Sequence, residues 1–139
     1  MTGPTPIARA IRIVHGALVS GVVLAGGAFF VLLRARGQGL GLDPALGIAF
    51  AAAGIGLVLV AASVLRRRVP ERSPQQTPDA YWAAAQTRGP VIVLWAVTEG
   101  AGLVSLIGYV LTGATAPLAA AAVAIATLIL YRPGSLEAT

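Results

Sequence analysis

Apolar positions fall in four long blocks, each closed by charge or by a residue that ends helices. The first, Ile13–Leu33, stops at Arg34 and Arg36 and is followed by the Gly37–Gly41 stretch, which predicts a turn. The second, Pro44–Leu65, runs into Arg66-Arg67-Arg68. The third extends from Pro90 to Thr112 and meets Gly113. The fourth, about Thr115–Tyr131, is closed by Arg132-Pro133 and is mostly Ala. The first three have about 20 apolar positions each, enough to cross ~30 Å of hydrocarbon. Thr5 before Pro6 and Asp43 before Pro44 have the cap-plus-proline form of helix starts. The expectation is an all-α, four-helix membrane bundle formed by one domain, residues 1–139.

Between the second and third blocks lies the only sizeable polar segment, residues 66–89. Pro70, Pro74 and Pro78 break up its first half. Thr77-Pro78-Asp79 then reads as a helix start leading through Tyr81 and Trp82 to Arg88. Two amphipathic rings beside an Arg suit a short interfacial helix in the headgroup region. The alternative is a solvated loop with one helical turn.

Composition turns the pattern into an exclusion. The 139 residues are 57% hydrophobic and only 11% charged, with mean hydropathy +0.83. A soluble domain of this size needs far more polar surface. The net charge is +5 and all ten basic residues are Arg. They lie at span ends or in connections, which is a topology signal rather than a nucleic-acid groove. Arg9, Arg12, Arg66, Arg67, Arg68, Arg72, Arg88 and Arg132 fall on one side in a four-span arrangement, against Arg34 and Arg36 on the other. Both termini and the central loop are therefore expected in the cytoplasm. Arg9 and Arg12 ahead of an apolar run resemble a signal-peptide start, but the run reaches Leu33 and no A-x-A site follows, so a retained first span is expected. With no Cys there is no disulfide, thiolate metal site or cysteine nucleophile. The single His15 and single Met1 exclude a haem held by two axial ligands of one chain. No hydrolytic set, phosphate loop or metal-ligand spacing is present, so no enzyme activity, cofactor or metal is expected.

Small residues are expected where helices meet, because association in lipid depends on close backbone approach. Candidates are Gly16-x-x-x-Ser20 and Gly26-Gly27 in the first span, and Gly47, Ala49-x-x-x-Ala53, Ala52-x-x-x-Gly56 and Gly54 in the second. The third offers Ala96-x-x-x-Gly100, Gly102 and Gly108. They suit a tight bundle and a homo-oligomer.

Glu99 is the one acidic residue inside a span. It lies nine residues beyond Pro90, ~13.5 Å along a helix and near the midplane. An acid there costs ~2.5–3.5 kcal/mol, so it should face protein or water rather than lipid. Either it is a protonatable site for ion or substrate coupling, or it is an interhelical hydrogen bond that fixes register. Helical spacing groups it with Trp95, Ala96, Gly102, Leu103 and Leu106. A faint repeat brings in His15, which follows Pro6 as Glu99 follows Pro90. His15-Gly16-Ala17-Leu18-Val19-Ser20 also matches Glu99–Ser105 with one gap. The chain then reads as a parallel tandem of two helical hairpins. His15 and Glu99 would lie at similar depth and pair or share a water; the competing reading is a chance match, with His15 at the interface beside Arg12.

The stretch Ala96-Val97-Thr98-Glu99-Gly100-Ala101-Gly102-Leu103-Val104 resembles the carboxylate helix of rotary ATPase proteolipid c subunits. A Gly/Ala-rich helix, a polar loop and a carboxylate helix follow in the same order over about Ala45–Gly113. The resemblance implies Glu99 as an ion-binding carboxylate. The chain departs from that family in lacking dense alternating glycines, in its longer loop and in its outer helices. It is similar over most of its length to small uncharacterised bacterial four-span proteins, through Ala96–Leu103, Leu111-Thr112-Gly113 and Arg132-Pro133. That similarity implies the bacterial cytoplasmic (inner) membrane and no particular activity. The small multidrug resistance transporters share its size and span count, but their key carboxylate lies in the first helix, where this chain has His15.

Two functions remain. One is a transport-class oligomer with Glu99, joined by His15, as a proton or cation site. The other is an accessory or assembly subunit of a larger membrane complex, in which Glu99 is helix glue and the central loop docks a partner.

Overall fold

Asp43 begins the second helix as its sequence suggests, its carboxylate oxygen accepting the Ala45 N–H at 2.8 Å ahead of Pro44. This computed structural model describes residues 6–37 and 39–138; Thr5, the expected first cap, lies outside them. The described residues form helices and no strand. They are α1 (Pro6–Arg36), α2 (Pro44–Val60), α3 (Pro78–Ala83), α4 (Ala85–Thr112), α5 (Thr115–Leu130) and α6 (Pro133–Glu137). A π-helical turn, Ala61–Leu65, and a 3-10 turn, Arg66–Arg68, prolong α2.

Three helices are long and apolar enough to cross a membrane: Pro6–Arg36, Pro44–Arg68 and Ala85–Thr112. At 1.5 Å per residue they reach ~46, ~37 and ~42 Å. The fourth apolar helix, α5, has 16 residues and reaches only ~24 Å. Three helices of spanning length and a shorter fourth therefore stand where the sequence pattern led to four spans, the last the shortest.

Two expected boundaries move. The third helix starts at Ala85 rather than Pro90, because the Ala84 carbonyl accepts the N–H groups of Thr87 and Arg88 and so nucleates a turn upstream of the proline. Pro90 then sits in the second turn, where only the Gln86 carbonyl loses its helical donor. The expected 78–88 helix is correspondingly cut by Ala84, which is extended (ψ 124°). Thr77 still caps α3, its hydroxyl accepting the Ala80 N–H at 3.2 Å.

α4 is the axle. Half of its most apolar stretch is buried, against 11% in α1 and 17% in α2. α2 and α5 run antiparallel to α4 on one flank, and α1 runs parallel to it on another. The first two helices do not form the close hairpin expected of a tandem repeat. Their connection drapes instead over the end of α4, with Leu40 N–H donating to the Val110 carbonyl and Leu42 N–H to that of Leu111. Gly39 passes so near Gly113 that a Cβ on it would lie 2.5 Å from the Gly113 nitrogen. Gly113, at φ +71°, ends α4 in the left-handed conformation that glycine favours.

The α2–α4 seam is built on small residues. A Cβ on Gly54 would overlap the Ser105 hydroxyl, and one on Gly108 would overlap Phe50. Of the packing residues expected from sequence, Gly102 is buried where α1, α4 and α5 meet, 2.9 Å in Cβ terms from Val22 and 3.6 Å from Ala124. Gly16, Ser20, Ala52, Gly56 and Ala96 lie on exposed faces, and a Cβ on Gly16, Gly56 or half-buried Gly100 would meet nothing within 4 Å. The seams within the chain use Gly47, Gly54 and Gly108, which the sequence also offered, with Ala101 and Ser105, while the Ala49/Ala53, Ala52/Gly56 and Ala96/Gly100 spacings lie one stripe round.

Candidate functional site

Residues 95, 99, 102 and 106 form one stripe of α4, and that stripe faces α1. Trp95 packs against His15, Gly102 against Val22, and Leu106 against Gly26. Glu99 belongs to the same stripe and looks across at Gly21, where a Cβ would lie 3.7 Å from its Oε1. Ala96 and Leu103, expected beside it, point outward. Because α4 starts at Ala85, Glu99 is at the helix centre, with 14 residues before it and 13 after. It is half-buried and, among the described residues, makes no hydrogen bond or ion pair.

His15 is held elsewhere. Its Nε2 lies 2.9 Å from the Leu128 carbonyl, which only accepts, so Nε2 carries the proton and donates. The ring rests on Trp95 with centroids 4.8 Å apart. His15 and Glu99 form no ion pair. Residues that meet across the α1–α4 seam differ by 78 to 80 in number, as in His15/Trp95, Gly21/Glu99 and Gly26/Leu106, rather than the 84 of the sequence repeat. The helices are parallel, but slipped by about one turn, which puts His15 level with Trp95.

That slip gives His15 and Trp95 a common task. The Trp95 indole N–H donates to the Tyr131 carbonyl at 2.8 Å. Leu128 and Tyr131 are at the C-terminal end of α5, where carbonyls lack helical partners. Side chains of α1 and α4 therefore close the end of the short helix inside the molecule, where open carbonyls would be costly.

Beneath this pair lies a second cluster that sequence reasoning missed. Tyr81 and Trp82, expected as an interfacial helix beside Arg88, are buried instead, at 1% and 0% exposure. Trp82 packs on Tyr81 (4.9 Å) and Trp95 (6.4 Å). Its indole donates to Glu137 Oε1 at 2.7 Å, and Arg12 approaches the same carboxylate at 3.4 Å. Arg72 donates to the Glu137 carbonyl at 2.7 Å and to that of Gln76 at 2.6 Å, while the Tyr81 hydroxyl donates to the Pro70 carbonyl at 2.9 Å. Burial pushes the Tyr81 phenol up from its ordinary value; Glu137 adds to this and Arg66 opposes it. The rings are buried because α3 and α6 fill the space beneath α5, which ends short of α4. The signal available was rarity: both Trp residues of the chain lie here.

The N-terminal part of α1, the central segment and α6 thus meet at one end of the molecule. Among the described residues, no three metal-ligating side chains come together. No family model matches the chain, and neither a curated protein nor a solved structure matches it significantly.

Proposed function

We propose that the chain is a multi-pass protein of the bacterial cytoplasmic membrane in which Glu99 is a protonatable carboxylate. It binds a proton or cation within a homo-oligomer or larger membrane complex. The observation that carries this is Glu99, centred on a helix of spanning length with no polar partner among the described residues. Helix glue requires a partner across the seam, and the facing residue is Gly21. A bare carboxylate at such a depth is costly, so a proton, a cation, water or a neighbouring chain must satisfy it. The eight Arg gathered at the central-loop end support a cytoplasmic location for that end. The bonded C-terminus of α5 supports counting it as a fourth, protein-shielded span.

Carbodiimide labelling in native membranes tests the site. Glu99 should be modified in a pH-dependent way, a bound cation should slow the reaction, and Glu99→Gln should abolish it. No labelling at any pH overturns the proposal and leaves the second reading, an accessory subunit. That reading is favoured by the outward Gly16, Ser20, Ala52, Gly56 and Ala96, which let another helix approach closely.

A further inference from the structure

Three irregularities meet at the far end of α2. The π-helical turn Ala61–Leu65 loosens the helix, and the 3-10 turn Arg66–Arg68 then tightens it to about three residues per turn. Three consecutive side chains on such a turn point some 120° apart. Arg66 and Arg67 accordingly share one hollow, and Arg68 lines another. Arg66 donates to the Val69 carbonyl at 3.4 Å and borders a cleft with Leu130, Tyr131 and Leu136. Arg67 borders an open hollow with Arg66, Val69, Pro70 and Glu71. Arg68 alone turns to the α4 flank, where it lines a groove of about 200 Å³ with Leu65, Pro90 and Val93.

This groove has an unusual division of chemistry. Its single charge, Arg68, is exposed and makes no hydrogen bond or ion pair among the described residues. Its other walls are apolar, and Val93 is 49% exposed on the outer face of α4. The guanidinium marks where the apolar length of α2 ends, so charge sits at the mouth and hydrocarbon walls lead away from it.

The geometry points to a binding site for an anionic phospholipid in the groove between the end of α2 and α4. The Arg68 guanidinium takes the phosphate through paired N–H donors, a geometry it matches well. Leu65, Pro90 and Val93 take the glycerol and the first methylenes of an acyl chain. A net anionic headgroup fits better than a zwitterionic one, because Arg66 and Arg67 on either side of the turn would repel an added ammonium. The inference rests on the chain lying in a membrane, but not on the role of Glu99.

Native mass spectrometry of the detergent-purified protein tests it, with added phosphatidylglycerol, phosphatidylcholine of the same acyl chains, or soluble glycerol phosphate. Phosphatidylglycerol should be retained preferentially and glycerol phosphate should not. Arg68→Gln should reduce retention roughly fivefold, the effect of one Arg near an anionic surface. Val93→Trp, which fills the groove and keeps the charge, should do the same, while Arg67→Gln should change retention less than about twofold. Equal losses for Arg67→Gln and Arg68→Gln would reduce the effect to general surface charge and overturn the site. Undiminished retention by Arg68→Gln or by Val93→Trp, or retention of glycerol phosphate as strong as that of the lipid, would overturn it too.

Discussion

Between α2 and α4, contact is made by leaving side chains out; beneath α1, it is made by the largest side chains in the chain. At the first seam Gly54 lies against Ser105 and Ala101, and Gly108 against Phe50. The hydroxyls there turn back into their own helix, Ser105 donating to the Ala101 carbonyl and Thr112 to that of Gly108, each at 2.8 Å. At the second, Tyr81, Trp82, Trp95 and His15 form a continuous ring cluster, and their polar atoms are bonded across elements. One region is held by dispersion and shape, the other by aromatic burial with directed hydrogen bonds. The difference follows from surroundings. A helix pair in lipid gains little from burying apolar groups against each other and gains more from close approach, whereas elements at a polar end need bonded partners for every buried N–H and carbonyl.

The sharpest way to break this contrast is to add volume to the small-residue seam. Gly54→Leu should cost about 3 kcal/mol or more, because the branched side chain must displace Ser105 and lies within reach of the Ala101 carbonyl. Thermal unfolding in detergent checks it; a variant as stable as the parent would show that α2 is loosely held. In the ring cluster, Trp82→Phe keeps one aromatic ring but removes the donor to Glu137 and the buried pyrrole half of the indole, leaving the carboxylate with the half-exposed Arg12. A loss of about 1–2 kcal/mol is expected in the same assay. A loss as large as that of Gly54→Leu would mean that the ring cluster holds the fold as firmly as the small-residue seam does. The smallest effect concerns Tyr81. Its raised phenol favours the folded state fully below the ordinary tyrosine value, and this contribution fades as pH rises from there through the higher folded value. Unfolding measured against pH should therefore show a decline in alkali that Tyr81→Phe reduces.

Legibility divides along the same line. The apolar helices and several of their ends could be read, because Asp43-Pro44, Thr77-Pro78 and Gly113 are local signals that act through the residues beside them, but the short α6 was not. The α4 start could not, since Pro90 looks like a first-turn proline and nothing upstream announces that Ala84 will accept two N–H groups. The seam was legible only in part, for a different reason. In a chain with 17 Gly and long Ala runs, spacing does not say which small residue meets a partner: Gly47, Gly54 and Gly108 do, whereas the Ala52/Gly56 and Ala96/Gly100 spacings lie one stripe away. Glu99 stood out and the parallel run of its helix with α1 could be read, but what faces it could not. A slip of one turn between parallel helices leaves no mark in a sequence repeat, and it moved His15 from Glu99 to Trp95. The cluster around Glu137 joins residues 12, 72, 82 and 137, separations at which spacing carries no information.

The placement of α1 has a consequence for the order of assembly. Its substantial packing is with α3, α4, α5 and α6, all of which follow Pro78. As the chain leaves the ribosome, α1 and α2 therefore emerge with neither partner in place, and α1 must wait until α4 has been made. In the membrane location proposed above, its outward faces, with Ile13, Val23, Leu24 and Val31 exposed, suit it to wait in lipid. The pairing of Arg12 with Glu137 then joins an early segment to a very late one across 125 residues. Such long-range closure is slow to form. A ribosome stalled before the Glu137 codon should carry a nascent chain whose α1 is still open to proteases or to a competing helix.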